Sequence, residues 1–139
     1  MKTSTSLFVV SFLFMLQFIN AQGFIEKDIV GRWTVTEVVS TKVSNETQMK
    51  VVAGFKNSIF ILNADHSFEL QTQDKSIYMT MLSRQLAKAQ WQFVDATDEL
   101  LIGTTQNHFS ILKIQMEHKG AITQFNLEES GIGLVVQQK

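Results

Sequence analysis

The chain has 139 residues, 45% of them hydrophobic, with 12 lysines or arginines and 13 aspartates or glutamates, so its formal net charge is −1. This near-neutral balance argues against a nucleic-acid-binding protein, which carries a basic patch. The sequence has no cysteine and no proline, which excludes disulfides, thiol nucleophiles and cysteine-linked lipid anchors. The lack of proline also favours hydrogen-bonded strands, where proline would remove a donor.

The N-terminus has the three parts of a secretory signal peptide. Lys2 precedes the apolar run Leu7–Leu16, and Ile19-Asn20-Ala21 ends on a small residue suited to cleavage. The apolar run is shorter than the ~20 residues that a membrane span needs, although an uncleaved membrane anchor is the alternative. We therefore expect residues 1–21 to be a signal peptide. Residues 22–139 then form one exported domain, periplasmic or extracellular, without an integral membrane span.

The first predicted strand runs from Gly31 to Val39, because this stretch contains a β-branched run in which threonine alternates with valine. Trp33 and Val35 are expected on one face of this strand. A polar segment follows, and a short helix is predicted over residues 45–55, with Ser44 or Asn45 as its N-cap and a glycine near its end.

A hairpin is predicted next, with strands over residues 57–62 and 67–72 joined by the turn Asn63-Ala-Asp-His-Ser67. Residues 73–89 then carry apolar side chains three and four residues apart, which predicts an amphipathic helix. A strand over Ile77–Leu82 is the alternative for this segment, since short apolar runs are ambiguous by periodicity.

The remainder of the chain alternates short strands with turn signals. Strands are predicted over residues 90–94, 99–104, 108–117, 121–128 and 132–138. Together with the first three strands, this makes eight. The predicted fold class is all-β: an antiparallel eight-stranded barrel with one or two short helical inserts.

These features resemble the small lipocalin-like domains of secreted bacterial proteins. The resemblance rests on Gly31-x-Trp33 at the first strand, on the stretch Phe60–Glu69 with its Asn-x-Asp turn, and on Trp91 in a later strand. His66 stands where that turn usually has glycine, and histidine can adopt the left-handed backbone conformation at some cost. The resemblance implies a calycin-type barrel whose floor is closed by Gly31 and Trp33 and which binds a small apolar molecule.

Eight apolar residues are the candidate ligand contacts near the barrel mouth. Methionine and aromatic side chains on segments outside the sheet suit variable ligands, and the alternative is that all of them are core. The candidates are Phe55, Phe60, Phe68, Tyr78, Met81, Leu82, Trp91 and Phe93.

No catalytic, metal or cofactor site is predicted. The three histidines, His66, His108 and His118, lack the spacing of a zinc site and are expected to be solvated loop side chains. No nucleophile elbow or phosphate-binding loop occurs. Two non-enzymatic functions stay open. One is binding of a small hydrophobic molecule in the barrel mouth. The other is a structural or protein-interaction module with a filled barrel.

Overall fold

The computed structural model describes residues 23–40 and 45–139, and the predicted signal peptide lies outside them. The helices of this part of the chain are α1 (Glu26–Ile29), α2 (Glu46–Phe55) and α3 (Ile77–Gln85). Its strands are β1 (Gly31–Ser40), β2 (Ile59–Leu62), β3 (Phe68–Gln71), β4 (Gln90–Val94), β5 (Glu99–Gly103), β6 (Leu112–Lys119), β7 (Ile122–Leu127) and β8 (Ile132–Gln138).

The strands form one antiparallel sheet in the order β3-β2-β1-β8-β7-β6-β5-β4. β8 pairs with β1, while β3 and β4 meet at a bridge between Ser67 and Gln90. Beside this bridge the amide of Trp91 donates to the carbonyl oxygen of His66 at 2.9 Å. The described strands therefore make a nearly closed eight-stranded barrel. This confirms the predicted fold class.

The two ends of the barrel differ because antiparallel strands bring alternate connections to the same end. At the entry end lie α1, the start of β1 and the turns at residues 63–67, 95–98 and 120–121. At the mouth end lie α2, α3, the loop at residues 104–111 and the turn at residues 128–131. Helices α2 and α3 thus lie together at the mouth end, while the entering chain with α1 crosses the entry end.

The pattern of β1 follows the expected alternation. Trp33 and Val35 are buried, whereas Thr36 is exposed. Gly31 has a φ of 142°, a region that favours glycine, and a β-carbon there would lie 3.1 Å from the Nε2 atom of Gln138. That amide donates to the carbonyl oxygen of Val30 at 3.0 Å. Gly31 therefore lets the first and last strands close tightly at the entry end.

The helices begin at capping side chains. The Asn45 side chain accepts a 2.8 Å hydrogen bond from the amide of Gln48, which confirms Asn45 as the N-cap of α2. The Ser76 hydroxyl accepts from the amide of Met79 at the start of α3. This helix covers Ile77–Gln85, so the alternative strand over residues 77–82 is wrong. Gly54 lies one residue before the end of α2, against the Met79 side chain.

The predicted start of the sixth strand is wrong. His108 and Phe109 both have φ values of 56° and belong to a loop, while β6 begins at Leu112. The Asn107 side chain accepts a 2.8 Å hydrogen bond from the amide of Thr104, which stabilises this loop. Asparagine thus ended the strand pattern locally by offering the backbone another partner. His118, expected in a turn, lies within β6.

None of the helices within the described ranges is long and apolar enough to span a membrane.

Candidate functional site

Aromatic rings fill the axis of the barrel. Trp33 and Phe125 have ring centroids 5.3 Å apart, and the centroids of Phe125 and Phe60 are 5.9 Å apart. The ring centroid of Phe60 also lies 6.2 Å from that of Phe55 and 5.9 Å from that of Phe68. All five side chains are buried. This aromatic column runs from the entry end to the last turn of α2, so the interior is occupied by the protein's own side chains.

The structure separates the candidate ligand contacts into two groups. Four are core residues, and three of these touch one another in the aromatic column, whereas the fourth, Trp91, packs against His66. The four core residues are Phe55, Phe60, Phe68 and Trp91. The others lie nearer the surface: Tyr78, Leu82 and Phe93 are half-buried, and Met81 is 53% exposed. Contact of any of the eight with a ligand stays a prediction.

A cleft of about 260 Å³ lies at the barrel mouth, between α2 and the β7–β8 turn. Aliphatic side chains from α2 and β8 line it, together with polar side chains from α2 and the β7–β8 turn. The aliphatic residues are Val51, Val52 and Ile132, and the polar ones are Thr47, Gln48, Glu129 and Ser130. Among the described residues that line it, Glu129 carries the only charge.

The sequence reasoning missed the lining residues of this mouth cleft. Thr47 and Val51 are four residues apart on α2, as are Gln48 and Val52, so all four lie on one side of the helix. That spacing could have indicated from the sequence that these four side chains share one side of the helix. The partners from the β7–β8 turn are more than 75 residues away along the chain, and only the fold brings them here.

Two further clefts have more titratable lining groups. One, of about 260 Å³, lies on the other flank of α2 and includes the charged residues Glu37 and Lys56. The other, of about 300 Å³, lies at the entry end between residues 23–28 and the barrel, and includes Asp28, Trp33 and His118. Among the described lining residues, the mouth cleft has one titratable group and each of the other two clefts has two.

The entry end is held by hydrogen bonds to the entering chain. The indole Nε1 of Trp33 donates to the carbonyl oxygen of Ile29 at 2.7 Å within the core. The amide of Phe24 donates to the Asp98 carboxylate at 3.1 Å, and the Phe24 ring stacks on His118 with centroids 3.9 Å apart. Trp33 thus lies beneath a chain segment that is itself fixed to the turn at residues 95–98 and to β6.

The expectation that all the histidines are solvated loop side chains is wrong for His66. Its ring stacks on Trp91 with centroids 4.3 Å apart, and its Nε2 lies 3.0 Å from Oε1 of Glu26. Its φ of 69° confirms that histidine occupies the left-handed position of this turn. The Asp65 carboxylate completes the turn by accepting from the Ser67 hydroxyl and amide, and these two bonds lower the pKa of Asp65.

Two carboxyl groups interact on the outer surface. A hydrogen bond from Thr97, and then the contact with Glu128, lower the pKa of Glu99. The hydrogen bond shared with Glu99, followed by partial desolvation, raises the pKa of Glu128. Glu128 is thus the member of this pair that retains its proton to higher pH. Neither carboxyl group lines any of the three clefts described above.

Among the described residues, no group of three or more histidine, aspartate or glutamate side chains is placed to hold a metal ion. None of the family models, curated proteins or solved structures compared with this chain matches it.

Proposed function

We propose that the protein is a non-enzymatic, lipocalin-like binding module that takes a small apolar molecule at the barrel mouth. The observation that supports this proposal is the mouth cleft between α2 and the β7–β8 turn, with its walls of Val51, Val52 and Ile132. Aliphatic walls with a few polar groups at the rim are the usual composition of small-molecule sites. The predicted signal peptide supports export of this module.

The aromatic column bears on where a ligand binds. Phe60 and Phe125 are fully buried at the barrel axis, and Phe55 from α2 closes the column above them. Displacing such close-packed rings would subtract from the binding free energy of any ligand, and the loss of one buried aromatic costs roughly 3–5 kcal/mol. We therefore place the ligand above the column, beside α2, and not inside the barrel.

The size and charge of the mouth cleft narrow the class of ligand. Its volume of about 260 Å³ lies just below the roughly 300–1,000 Å³ of typical ligand pockets, which favours a small molecule of one to three rings or a short chain. The Glu129 carboxylate at the rim disfavours an anionic headgroup through like-charge repulsion. The ligand that fits best is therefore small, apolar and neutral or cationic.

Titration with N-phenyl-1-naphthylamine, an uncharged fluorescent probe, tests this proposal. We expect micromolar binding, and we expect Val51→Ser to weaken it about fivefold, since the lost apolar contact is worth roughly 1 kcal/mol. Val94→Ser is the matched control, because Val94 is 37% exposed on β4 and lies outside the cleft. Absence of micromolar binding, or equal loss in both variants, would contradict the proposal.

A protein-interaction module is the second candidate, and α3 supports it. Ile77 and Met81 lie one turn apart on this helix and are 68% and 53% exposed. Paired exposed apolar side chains at this spacing are typical of a helix that meets another surface. This function predicts that Met81→Ser leaves probe binding unchanged. If Met81 is instead a ligand contact, as the sequence predicts, the same substitution weakens binding of the probe.

A further inference from the structure

We propose that residues 23–29, the entry strap, are held on the barrel by a pH-sensitive latch formed by His66 and Glu26. The strap crosses the entry end and includes α1. Glu26 is the strap's partner in the latch, and His66 belongs to the turn between β2 and β3. This device lies at the opposite end of the barrel from the mouth cleft and does not depend on the proposed ligand.

The geometry of the His66 ring defines the latch. Nδ1 lies 2.9 Å from the carbonyl oxygen of Trp91, and Nε2 lies 3.0 Å from the Glu26 carboxylate. Both neighbours are acceptors, and a neutral imidazole has only one N–H to donate. Only the doubly protonated ring satisfies both, so loss of a proton leaves a lone pair facing either the Glu26 carboxylate or the Trp91 carbonyl oxygen, and removes the positive charge beside Glu26 in both cases. The latch is therefore closed in the imidazolium form and weakened in the neutral form.

The surroundings of His66 agree with this charge state. From β4, the indole face of Trp91 lies parallel to the ring, with an interplanar angle of 2°, and such a face attracts a cation. From α1, Glu26 supplies one negative charge, and Asp65, in the same turn as His66, supplies another; the pKa of Asp65 is lowered first by its hydrogen bonds with Ser67 and last by the charge of His66. Each charged group that these contacts bring to the ring is negative, so each attracts the imidazolium.

The strap has other attachments, which limit how far it is released. The bond from the Phe24 amide to Asp98 does not involve a histidine and persists when His66 loses its proton. The stack of Phe24 on His118 also strengthens when that histidine is charged, because a cation is attracted to an aromatic face. Protonation of either histidine therefore strengthens the attachment of the strap to the barrel.

Loosening of the strap has a defined structural consequence. Gly23, Phe24, Ile25 and Asp28 of the strap line the cleft of about 300 Å³ that reaches Trp33. When the latch weakens, this wall moves more freely, and the entry end of the core is less protected. Histidine is the side chain whose charge changes within about pH 5 to pH 8 in proteins generally, so the latch is tested across that interval.

Hydrogen–deuterium exchange of the strap tests the latch, with protection factors corrected for the intrinsic effect of pH. In the wild type we expect strap protection to be two- to fivefold higher at about pH 5.5 than at about pH 8, the range that an exposed ion pair provides. Glu26→Gln should lower the protection at about pH 5.5 and reduce the difference between the two pH values, since only the Phe24–His118 stack then responds to pH. Glu46→Gln, which removes the exposed carboxylate paired with Lys50 on α2, is the matched control and should behave as the wild type.

A second readout separates the latch from a general loss of structure. Protonated histidine quenches a stacked indole, so emission from Trp91 should fall as the pH is lowered. A strap whose protection in the wild type is independent of pH would overturn the proposal. So would a Glu26→Gln variant, with unchanged circular dichroism, that keeps the wild-type difference between the two pH values.

Discussion

The imidazole of His66 lies parallel to the indole of Trp91, with ring centroids 4.3 Å apart and an interplanar angle of 2°. The Trp91 Nε1 group in turn donates to the carbonyl oxygen of Asn63 at 2.9 Å, at the start of the same turn. The tryptophan of β4 thus supports the turn between β2 and β3. This contact connects the β2–β3 turn to β4, next to the place where β3 and β4 are paired by a single bridge.

Trp91→Phe tests this support. The variant keeps an aromatic ring but removes the donor to Asn63, and it leaves the fully buried site slightly underfilled. We expect a loss of about 1–3 kcal/mol in the free energy of unfolding, measured in urea, from the lost indole hydrogen bond and the smaller ring. The Asn63 carbonyl oxygen still accepts from the amide of His66 at 3.0 Å. His66→Asn should then cost less in this variant than in the wild type, because the two residues are coupled. Additive losses would contradict the coupling.

Trp33→Ala tests the role of the first strand. Trp33 is 5% exposed, contacts Phe125 and donates to Ile29, so we expect a loss of roughly 3–5 kcal/mol. Typical domains have only about 5–15 kcal/mol in total, and the variant should therefore be only marginally stable. Trp33→Phe should retain most of this stability. A cost below 1 kcal/mol for the alanine variant would show that the site can collapse or hydrate.

Gly54→Ala tests the contact between α2 and α3. A β-carbon at Gly54 would approach the Met79 Sδ atom to 2.7 Å and the Cγ atom more closely still. Alanine favours helix over glycine by about 1 kcal/mol, but overpacking costs about 1–3 kcal/mol, so net destabilisation is expected. In a Met79→Ala background the same change should become neutral or stabilising. Thermal unfolding of the four proteins measures this cycle, and an unchanged effect of Gly54→Ala in both backgrounds would contradict it.

Acid titration of Asp65→Asn tests the electrostatics of the turn. Because the pKa of Asp65 is lowered in the folded state by its bonds with Ser67, the carboxylate stabilises the protein at pH values above its ordinary value of 3.8. That contribution is lost as the pH falls through the lowered pKa. We expect the wild type to be more stable than the variant at neutral pH and the difference to vanish in strong acid. A difference that persists there would show that the turn depends on another property of Asp65.

Regular periodicity made much of the fold predictable. The alternation in β1 and the amphipathic spacing before Ala89 correctly predicted a strand and a helix. The prediction failed at residues 108–111, where an asparagine side chain and two residues with positive φ formed a loop within an apolar stretch. Such a loop depends on local hydrogen bonds that hydrophobic spacing does not record.

The candidate site was harder to predict because burial and pocket lining use the same residue types. Phe60 and Phe68 were assigned to ligand contact, and the structure packs both into the aromatic column. Val51 and Ile132 line the mouth cleft, but nothing in their sequence neighbourhoods connects them. The contacts of His66 could not be predicted from the sequence either, because its partners Glu26 and Trp91 are distant from it along the chain.

The location of a bound probe tests the proposed mouth site most directly. Two-dimensional amide NMR spectra should be recorded during titration with N-phenyl-1-naphthylamine. We predict that the largest shift changes fall on Val51, Val52 and Ile132, with little change at Phe60 and Phe125 in the aromatic column. Changes centred on the column would place the ligand inside the barrel, and changes confined to Ile77 and Met81 of α3 would favour the interaction surface. Either result would contradict binding in the mouth cleft.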